Sequence, residues 1–187
     1  MKIVDVLGPE LSGRLRGKEH VAMLASRARG EKPGSTLILD FHGVRNVTGS
    51  WLSAALVPFF RLMATKEYDL FPIIANVDQN WIDEFALVGE WNDQIFIVGT
   101  LANGVLWDAK LVGSTDQVQY DTFSAVMQYG DATGADLSRT DSGRSTQPTT
   151  WNNRLKDLHE KRLLRRRSLG RKQVYTPVIK EISIDGR

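Results

Sequence analysis

Three short and almost unbroken apolar runs in the first hundred residues constrain the fold of this chain most. They are TLILDF at 36–41, FPIIANV at 71–77 and QIFIV at 94–98. Runs of this length and composition are typical of strands that are covered on both faces of a sheet. Segments with helical spacing of their apolar residues separate the runs. The sequence therefore predicts an α/β layer with mixed or parallel pairing and right-handed crossovers.

A further strand and three helices complete the prediction for this part of the chain. The alternation over 2–7 indicates a short strand. Apolar residues at 11, 15, 21, 24, 25 and 28 indicate an amphipathic helix over 11–29, which ends at Gly30. We expect the other two helices at about 50–64 and at 80–89. The predicted sheet is therefore small, with four strands and about three helices in a hundred residues.

A motif around the first of these apolar runs points to a known family. The segment LDFHGV at 39–44 is followed by VTGSWL at 47–52, which opens an apolar helix. This arrangement resembles the signature of STAS-type domains, which are the folds of bacterial anti-anti-sigma factors. It is also similar to a STAS-like family with a D-F-x-G-V…S-[FW]-L pattern. The resemblance covers roughly residues 1–100 and implies a STAS-like α/β fold that binds a partner.

The same resemblance implies a role for two hydroxyl residues. In regulatory members of the family, an ATPase-kinase phosphorylates a Ser or Thr at the start of this helix and thereby breaks the partner complex. In this chain Gly49 falls near that position, and its neighbours Thr48 and Ser50 are the candidate phosphorylation sites. The free N–H groups and the dipole of a helix start favour a phosphate. The alternative is a plain N-cap, which stabilises a helix start by about 1 kcal/mol.

Positive charge is concentrated in the last third of the chain. Residues 139–172 contain eleven Lys or Arg against three acidic residues, although the whole chain has a net charge of only +2. Phosphate oxygens attract such a segment through counterion release, independently of the base sequence. The alternatives are a solvated charged face and a surface for protein contacts. The charge distribution favours duplex DNA as the partner.

Three helices and a basic hairpin are predicted in this region. We expect helices within 115–130, at 133–140 and at about 148–161, followed by two strands around a Ser-Leu-Gly turn. In the third helix, Trp151, Leu155 and Leu158 form an apolar stripe that must pack inward. The order resembles the winged helix-turn-helix domains of bacterial transcription regulators over residues 115–178. A leucine that closes the third helix and a basic wing that ends in Tyr-x-Pro carry the resemblance.

The candidate DNA-binding residues lie on the third helix, in the turn before it and on the hairpin. Asn bonds adenine edges, Lys reaches guanine or phosphate, and Thr methyl groups contact thymine. Arginines beside a hairpin tip bind phosphates or enter a minor groove. The predicted residues are Arg144, Gln147, Thr149, Thr150, Asn152, Asn153, Lys156, Arg165, Arg166, Arg167, Arg171 and Lys172.

These patterns predict two domains and a regulatory function. We expect a STAS-like α/β domain at 1–104, a connector at 105–114 and a winged helix-turn-helix domain at 115–187. The predicted function is a non-enzymatic regulator that binds double-stranded DNA. A homodimer is expected, because a single winged helix makes few base contacts. The alternative is a partner-switch protein of the anti-anti-sigma kind that binds a histidine-kinase-type ATPase.

The composition argues against several other classes of protein. The chain has no cysteine, which excludes disulfides and thiolate zinc sites. Its three histidines are widely separated, so we expect no metal. No phosphate-binding loop or catalytic set is visible, so we expect neither a cofactor nor catalytic residues. Without a secretory signal or an apolar run of about 20 residues, the protein is expected to be cytoplasmic and not in a membrane.

Overall fold

The computed structural model describes residues 1–140 and 146–179. The chain forms two compact units, Met1–Ser114 and Thr115–Lys180, which we call the N-terminal unit and the C-terminal unit. The described residues form α-helices and several small sheets. The expectation of a mixed α/β protein with small sheets is therefore confirmed.

The N-terminal unit alternates helices and strands along the chain. In chain order, its elements are α1 (Ile3–Leu7), β1 (Glu10–Leu11), α2 (Arg14–Ala28), β2 (Thr36–Asp40), β3 (Asn46–Val47), α3 (Gly49–Trp51), a π-helical segment (Leu52–Leu56), α4 (Val57–Met63), β4 (Phe71–Ala75), a 3-10 turn (Gln79–Trp81), α5 (Ile82–Asn92), β5 (Ile95–Ala102) and β6 (Val105–Gly113).

A four-stranded sheet with the order β2-β4-β5-β6 forms the centre of this unit. β2 pairs with β4 and β4 with β5 in parallel, whereas β5 and β6 are antiparallel. The three apolar runs are thus strands of one sheet, as predicted, and the structure places them next to one another. A separate two-stranded sheet joins β1 and β3 in parallel. Aromatic side chains hold the core together: the Phe85 ring packs edge-on against Phe41 and Phe96, with centroids 5.6 and 5.9 Å away.

The prediction of a strand at 2–7 is wrong, because only the first two residues pair with the sheet. The Met1 amino group donates to Ile38 O at 2.7 Å, and Asp40 N donates to Met1 O at 2.8 Å. From Ile3 onward the chain forms α1 and buries the Ile3 side chain completely. Six residues with a mixed pattern fit a short helix as well as a strand, and burial decides between them.

The helix predicted at 11–29 begins later, at Arg14. Gly13 has φ of 84°, a conformation outside the helical range. Leu11 belongs to β1 and pairs with Val47, and Leu15 is 76% exposed although its spacing predicted an inward position. Of the first two apolar residues in the pattern, Leu11 therefore belongs to a strand and Leu15 faces solvent.

The segment expected to be a connector, 105–114, forms β6 at the edge of the central sheet. It pairs with β5 from Ile95 opposite Gly113 to Ala102 opposite Val105. Asn103 and Gly104 both have positive φ, 53° and 77°, which suits the tight turn of a hairpin. The segment is thus part of the N-terminal unit.

The helix predicted at 50–64 is confirmed, with a local change of winding. Its π-helical segment Leu52–Leu56 ends where Val57 N donates to Leu52 O, five residues back. Pro58 follows directly and has no N–H to offer the preceding turn. The missing donor gives a physical reason for the wider turn.

The C-terminal unit contains three helices and a hairpin, as predicted. Its elements are α6 (Gln117–Tyr129), α7 (Gly134–Thr140), α8 (Pro148–Glu160), β7 (Leu164–Leu169) and β8 (Lys172–Pro177). Asp116 and Gln119 form a capping box that starts α6. Thr133 and Asp136 bond each other's backbone and side chains at the start of α7. These local polar contacts explain why the helices begin where they do.

A backbone pairing joins the hairpin β7–β8 to the segment between α6 and α7. Ala132, between α6 and α7, exchanges both backbone hydrogen bonds with Tyr175 of β8, at 2.9 and 2.8 Å. The chain order of this unit is therefore helix, one bridging residue, two helices and an antiparallel hairpin. Leu137, Leu155, Leu158 and Tyr175 are buried and form part of its core.

Candidate nucleic-acid interface

Helix α8 is amphipathic, and its burial follows the sequence pattern. Leu155 and Leu158 are fully buried, and Trp151 is 7% exposed. The predicted inward stripe is therefore confirmed. Because residues three and four apart share a helix face, Thr149, Asn153 and Lys156 lie together on the opposite side. All of the predicted residues from this helix and its lead-in are exposed: Gln147, Thr149, Thr150, Asn152, Asn153 and Lys156.

Polar contacts fix α8 on the other two helices. Gln119 Nε2, from α6, donates to Asp157 Oδ2 at 2.9 Å. Ser138 Oγ, from α7, donates to the backbone oxygen of Thr146 at 2.7 Å, just before α8 begins. These contacts therefore hold α8 in place with its polar face exposed.

Asn152 faces the start of α7 at close range. A Cβ on Gly134 would lie 2.3 Å from Asn152 Oδ1 and 2.8 Å from Pro148 O. A glycine is therefore needed where α7 meets α8, because any side chain would push the two helices apart. Asn152 is a packing neighbour of α7 in addition to being exposed.

Lys156 forms an ion pair within α8. Its Nζ lies 3.5 Å from Glu160 Oε1, and the two side chains are 60% and 63% exposed. Exposed pairs of this kind contribute about 0.3–0.5 kcal/mol. The pair is weak enough for a phosphate to displace the carboxylate.

His159 does not belong to the exposed face. Its Nδ1 lies 2.9 Å from the backbone oxygen of Leu164, and its ring packs edge-on against Tyr175. The imidazole therefore ties the end of α8 to the first strand of the hairpin.

The hairpin turns at Gly170, whose φ is 61°. Leu169 pairs with Lys172 next to the turn, and Arg166 pairs with Tyr175 further along. Arg166, Arg171 and Lys172 are exposed, and none of them forms an ion pair with a residue in the described part of the chain. These three cations are exposed positive charges of the predicted wing.

Arg167 is paired with an acidic residue that the sequence prediction did not include. Its Nη2 bonds Asp131 Oδ2, and Thr176 Oγ1 donates to Asp131 Oδ1 at 2.6 Å. The Thr176 hydroxyl and the Arg167 guanidinium lower the pKa of Asp131. The carboxylate therefore stays ionised and offsets the charge of Arg167.

Arg165 is half-buried rather than exposed. Its Nη1 donates to Val178 O at 3.4 Å, and burial lowers the pKa of its guanidinium. The run of three arginines thus divides into one half-buried, one exposed and one ion-paired side chain. Arg144, the remaining predicted DNA-binding residue, lies outside the described residues.

Thr48 and Ser50 lie at the start of α3. Thr48 Oγ1 accepts a hydrogen bond from Trp51 N at 3.4 Å and lies 3.1 Å from Ser50 Oγ. A Cβ on Gly49 would lie 2.5 Å from Glu84 Oε2, so a carboxylate borders this helix start. Thr48 acts as the N-cap, and Ser50 is exposed.

The contacts missed by sequence reasoning join residues that are distant along the chain. Asp131 and Arg167 are 36 positions apart, and Gln119 and Asp157 are 38 apart. The signal for Gly134 was a glycine within the helix predicted at 133–140, where glycine is otherwise unfavourable. No local signal identified the partner of Arg167.

Comparisons with family models, with curated proteins and with solved structures found no match to this chain. Within residues 1–140 and 146–179, no helix is long and apolar enough to cross a membrane. The same residues contain no group of three or more His, Asp or Glu side chains arranged to hold a metal ion. The interface is therefore interpreted from its own geometry.

Proposed function

We propose that this protein is a non-enzymatic, DNA-binding regulator. The C-terminal unit acts as a winged helix-turn-helix domain, with α8 in the major groove and the β7–β8 wing against the phosphate backbone. The N-terminal unit acts as a STAS-like domain that binds a partner or forms a homodimer. The order of helices, bridge and hairpin in the C-terminal unit supports the first assignment. The motif that leads from β2 into α3 supports the second.

One observation carries the proposal: α8 buries its apolar stripe and presents amides, hydroxyls and a lysine, and a hairpin with the exposed cations Arg166, Arg171 and Lys172 follows directly. The exposed carboxylate of α8, Glu160, is paired with Lys156. The His159–Leu164 contact holds the hairpin to the end of the helix. A helix of this composition beside a cationic strand pair fits a groove and its flanking phosphates.

The β7–β8 wing and the exposed face of α8 have different roles in this proposal. Arg166, Arg171 and Lys172 supply affinity by releasing counterions from the phosphates, without regard to sequence. Asn153 supplies sequence preference, because an exposed amide bonds an adenine edge through two hydrogen bonds. Since one recognition helix contacts few bases, two copies bound to two half-sites give the specificity that a regulator requires.

The second candidate function is a partner-switch protein that binds a histidine-kinase-type ATPase. The exposed hydroxyl of Ser50 at the start of a long helix favours it. Glu84 opposes it, because a carboxylate beside Gly49 repels a phosphate added at this position.

Binding to labelled duplex DNA over a series of salt concentrations tests the proposal. The logarithm of the association constant is expected to fall linearly with the logarithm of salt concentration. The triple variant R166A/R171A/K172A is expected to reduce this slope by up to about 0.9 for each cation that contacts a phosphate. A Kd that does not change with salt concentration, or the absence of binding at low salt, contradicts the proposal.

A second triple variant controls for net charge. R27A/K32A/K66A removes the same charge from exposed positions of the N-terminal unit. If binding depends on the wing, this variant keeps the wild-type slope. Equal loss in the two variants shows that overall charge attracts the DNA and that the wing has no special role.

A further inference from the structure

A cavity of about 380 Å³ lies on the N-terminal unit, where β4 ends and β5 continues into its hairpin with β6. Val77, Ile82 and Val98 supply the apolar part of its wall, and Asp108 and Lys110 of β6 supply its charges. Sites for small molecules begin at about 300 Å³. Open α/β sheets commonly bind ligands beyond the carboxyl ends of their parallel strands. The size and the place of this cavity therefore suit a small ligand.

Asp108 and Lys110 give the cavity two charges of opposite sign. The Asp108 side chain is exposed and that of Lys110 is half-buried. Among the residues that the structure describes, neither side chain forms an ion pair with the other or with a third residue. A ligand with a single charge would pair with one of them and desolvate the other without a partner, which is unfavourable. A small ligand that carries both charges is therefore favoured.

A β-bulge brings Asp108 into the wall of the cavity. The pairing of β5 with β6 shifts register between Val98 and Thr100, so that Asp108 and Ala109 both lie opposite Gly99. Ala109 is buried, whereas Asp108 lines the cavity with φ of 49°, which is uncommon for a residue other than glycine. Regular pairing places one residue opposite Gly99, so the bulge supplies the additional charged side chain. Bulges often re-aim a side chain in this way next to functional sites.

Asn76 fixes the strand ends beside the cavity. Its backbone N–H donates to Gly99 O at 2.9 Å, and its Oδ1 accepts from Leu101 N at 2.9 Å. Its Nδ2 donates to Asp40 Oδ1 at 2.8 Å. The ends of β2 and β4 are thus bonded to β5 before any ligand binds. A site that is held in this way loses little conformational freedom on binding.

We propose that this cavity binds a free α-amino acid with an aliphatic side chain. The ammonium group of the amino acid lies at Asp108, and its carboxylate lies at Lys110. Its side chain leaves water and packs on Val77, Ile82 and Val98, of which Val98 is 4% exposed. The surface proposed to meet DNA belongs to the C-terminal unit, so the site is independent of the proposed function.

Titration of the full-length protein with L-leucine, in the absence of DNA, tests the proposal. Binding is followed by the backbone amide resonances of Gly99 and Thr100 in ¹H–¹⁵N NMR spectra. We expect a saturable shift of these resonances. The analogue 4-methylpentanoate lacks the ammonium group, and 3-methylbutylamine lacks the carboxylate. Each is expected to bind at least about tenfold more weakly than L-leucine, since hydrogen bonds between charged groups are the stronger class.

Two variants assign the two charges of the cavity. D108N removes the carboxylate and keeps the backbone, because Asn tolerates a positive φ as Asp does. We expect it to weaken the binding of L-leucine and of 3-methylbutylamine about tenfold and to leave 4-methylpentanoate unchanged. K110M is expected to show the opposite selectivity, with weaker binding of L-leucine and of 4-methylpentanoate only.

The variants E31Q and K32M control for net charge. Each removes one charge from an exposed position before β2, and both are expected to bind L-leucine as the wild type does. The absence of a saturable shift, equal affinities for L-leucine and its two analogues, or D108N and K110M behaving like the controls overturns the proposal. Because binding is measured without DNA, a failure here leaves the DNA-binding result unaffected.

Discussion

Arg167 and Asp131 form an ion pair that joins β7 to the residue before the bridge at Ala132. The pair is partly exposed, at 56% and 48% of the two side chains. Its carboxylate also accepts from Thr176 of β8. The contact aligns the wing with the helices and at the same time removes one positive charge from the surface proposed to meet DNA.

Replacing Asp131 with Asn is expected to tighten DNA binding. The amide oxygen of Asn can still accept from Thr176, so the wing keeps its position while Arg167 is released. The dependence of log Kd on log salt is expected to steepen by about 0.9, the contribution of one additional phosphate contact. Titration of labelled duplex DNA at several salt concentrations measures this. An unchanged slope would show that Arg167 does not reach the backbone.

Asn153 and Asn152 are expected to respond differently to replacement by Ala. Asn153 is exposed on α8, so N153A is expected to lose about 1–3 kcal/mol of discrimination between preferred and mismatched duplexes. Binding to unrelated DNA stays nearly unchanged. Asn152 packs against Gly134, so N152A acts on the α7–α8 contact as well. Competition assays with two duplexes distinguish these effects, and a uniform loss in N153A contradicts the role as a base reader.

Gly134→Ala is expected to destabilise the C-terminal unit. The new Cβ would lie 2.3 Å from Asn152 Oδ1 and 2.8 Å from Pro148 O, and overpacking of this kind costs about 1–3 kcal/mol. Chemical denaturation of the variant measures the loss. The double variant G134A/N152A is expected to recover part of it, because the obstructing side-chain atoms of Asn152 are gone while Pro148 O remains. If G134A has the same free energy of unfolding as the wild type, α7 and α8 can move apart without a loss of stability.

The buried His20 is expected to make stability depend on pH. Burial, with the nearby Arg16 as a second cause, lowers the pKa of His20 below its ordinary value of 6.5. The folded state therefore disfavours the protonated imidazole, which could no longer accept from Trp51 Nε1. The contribution to stability is complete above about pH 6.5 and is lost as the pH falls through the lower folded pKa.

The variant H20Q offers the control, since glutamine does not titrate and its amide oxygen can accept from Trp51. Between pH 6.5 and 5, the free energy of unfolding of the wild type is expected to fall more steeply than that of H20Q. The difference in slope cannot exceed about 1.4 kcal/mol per pH unit for one proton. Denaturation followed by tryptophan fluorescence measures both proteins, and parallel curves would contradict the assignment.

Most helices and strands could be predicted because their signals are local. The stripe of Trp151, Leu155 and Leu158 identifies the buried face of α8 from spacing alone. The prediction failed at 2–7, where a short pattern fits more than one structure. The extended segment at 105–114 was expected to be a connector with some strand, and it forms β6. The Asn103-Gly104 turn just before 105–114 is a local signal for a hairpin, in which a second strand pairs with β5.

The sequence alone determined the alternation of elements, the inward face of α8 and the location of the positive charge, because each follows from residues within a few positions of one another. Only the tertiary structure decided which charges remain available. It brings Asp131 to Arg167, buries half of Arg165 and leaves Arg166, Arg171 and Lys172 exposed. Ion pairing and burial depend on distances between residues far apart in the chain, and a linear pattern does not contain those distances.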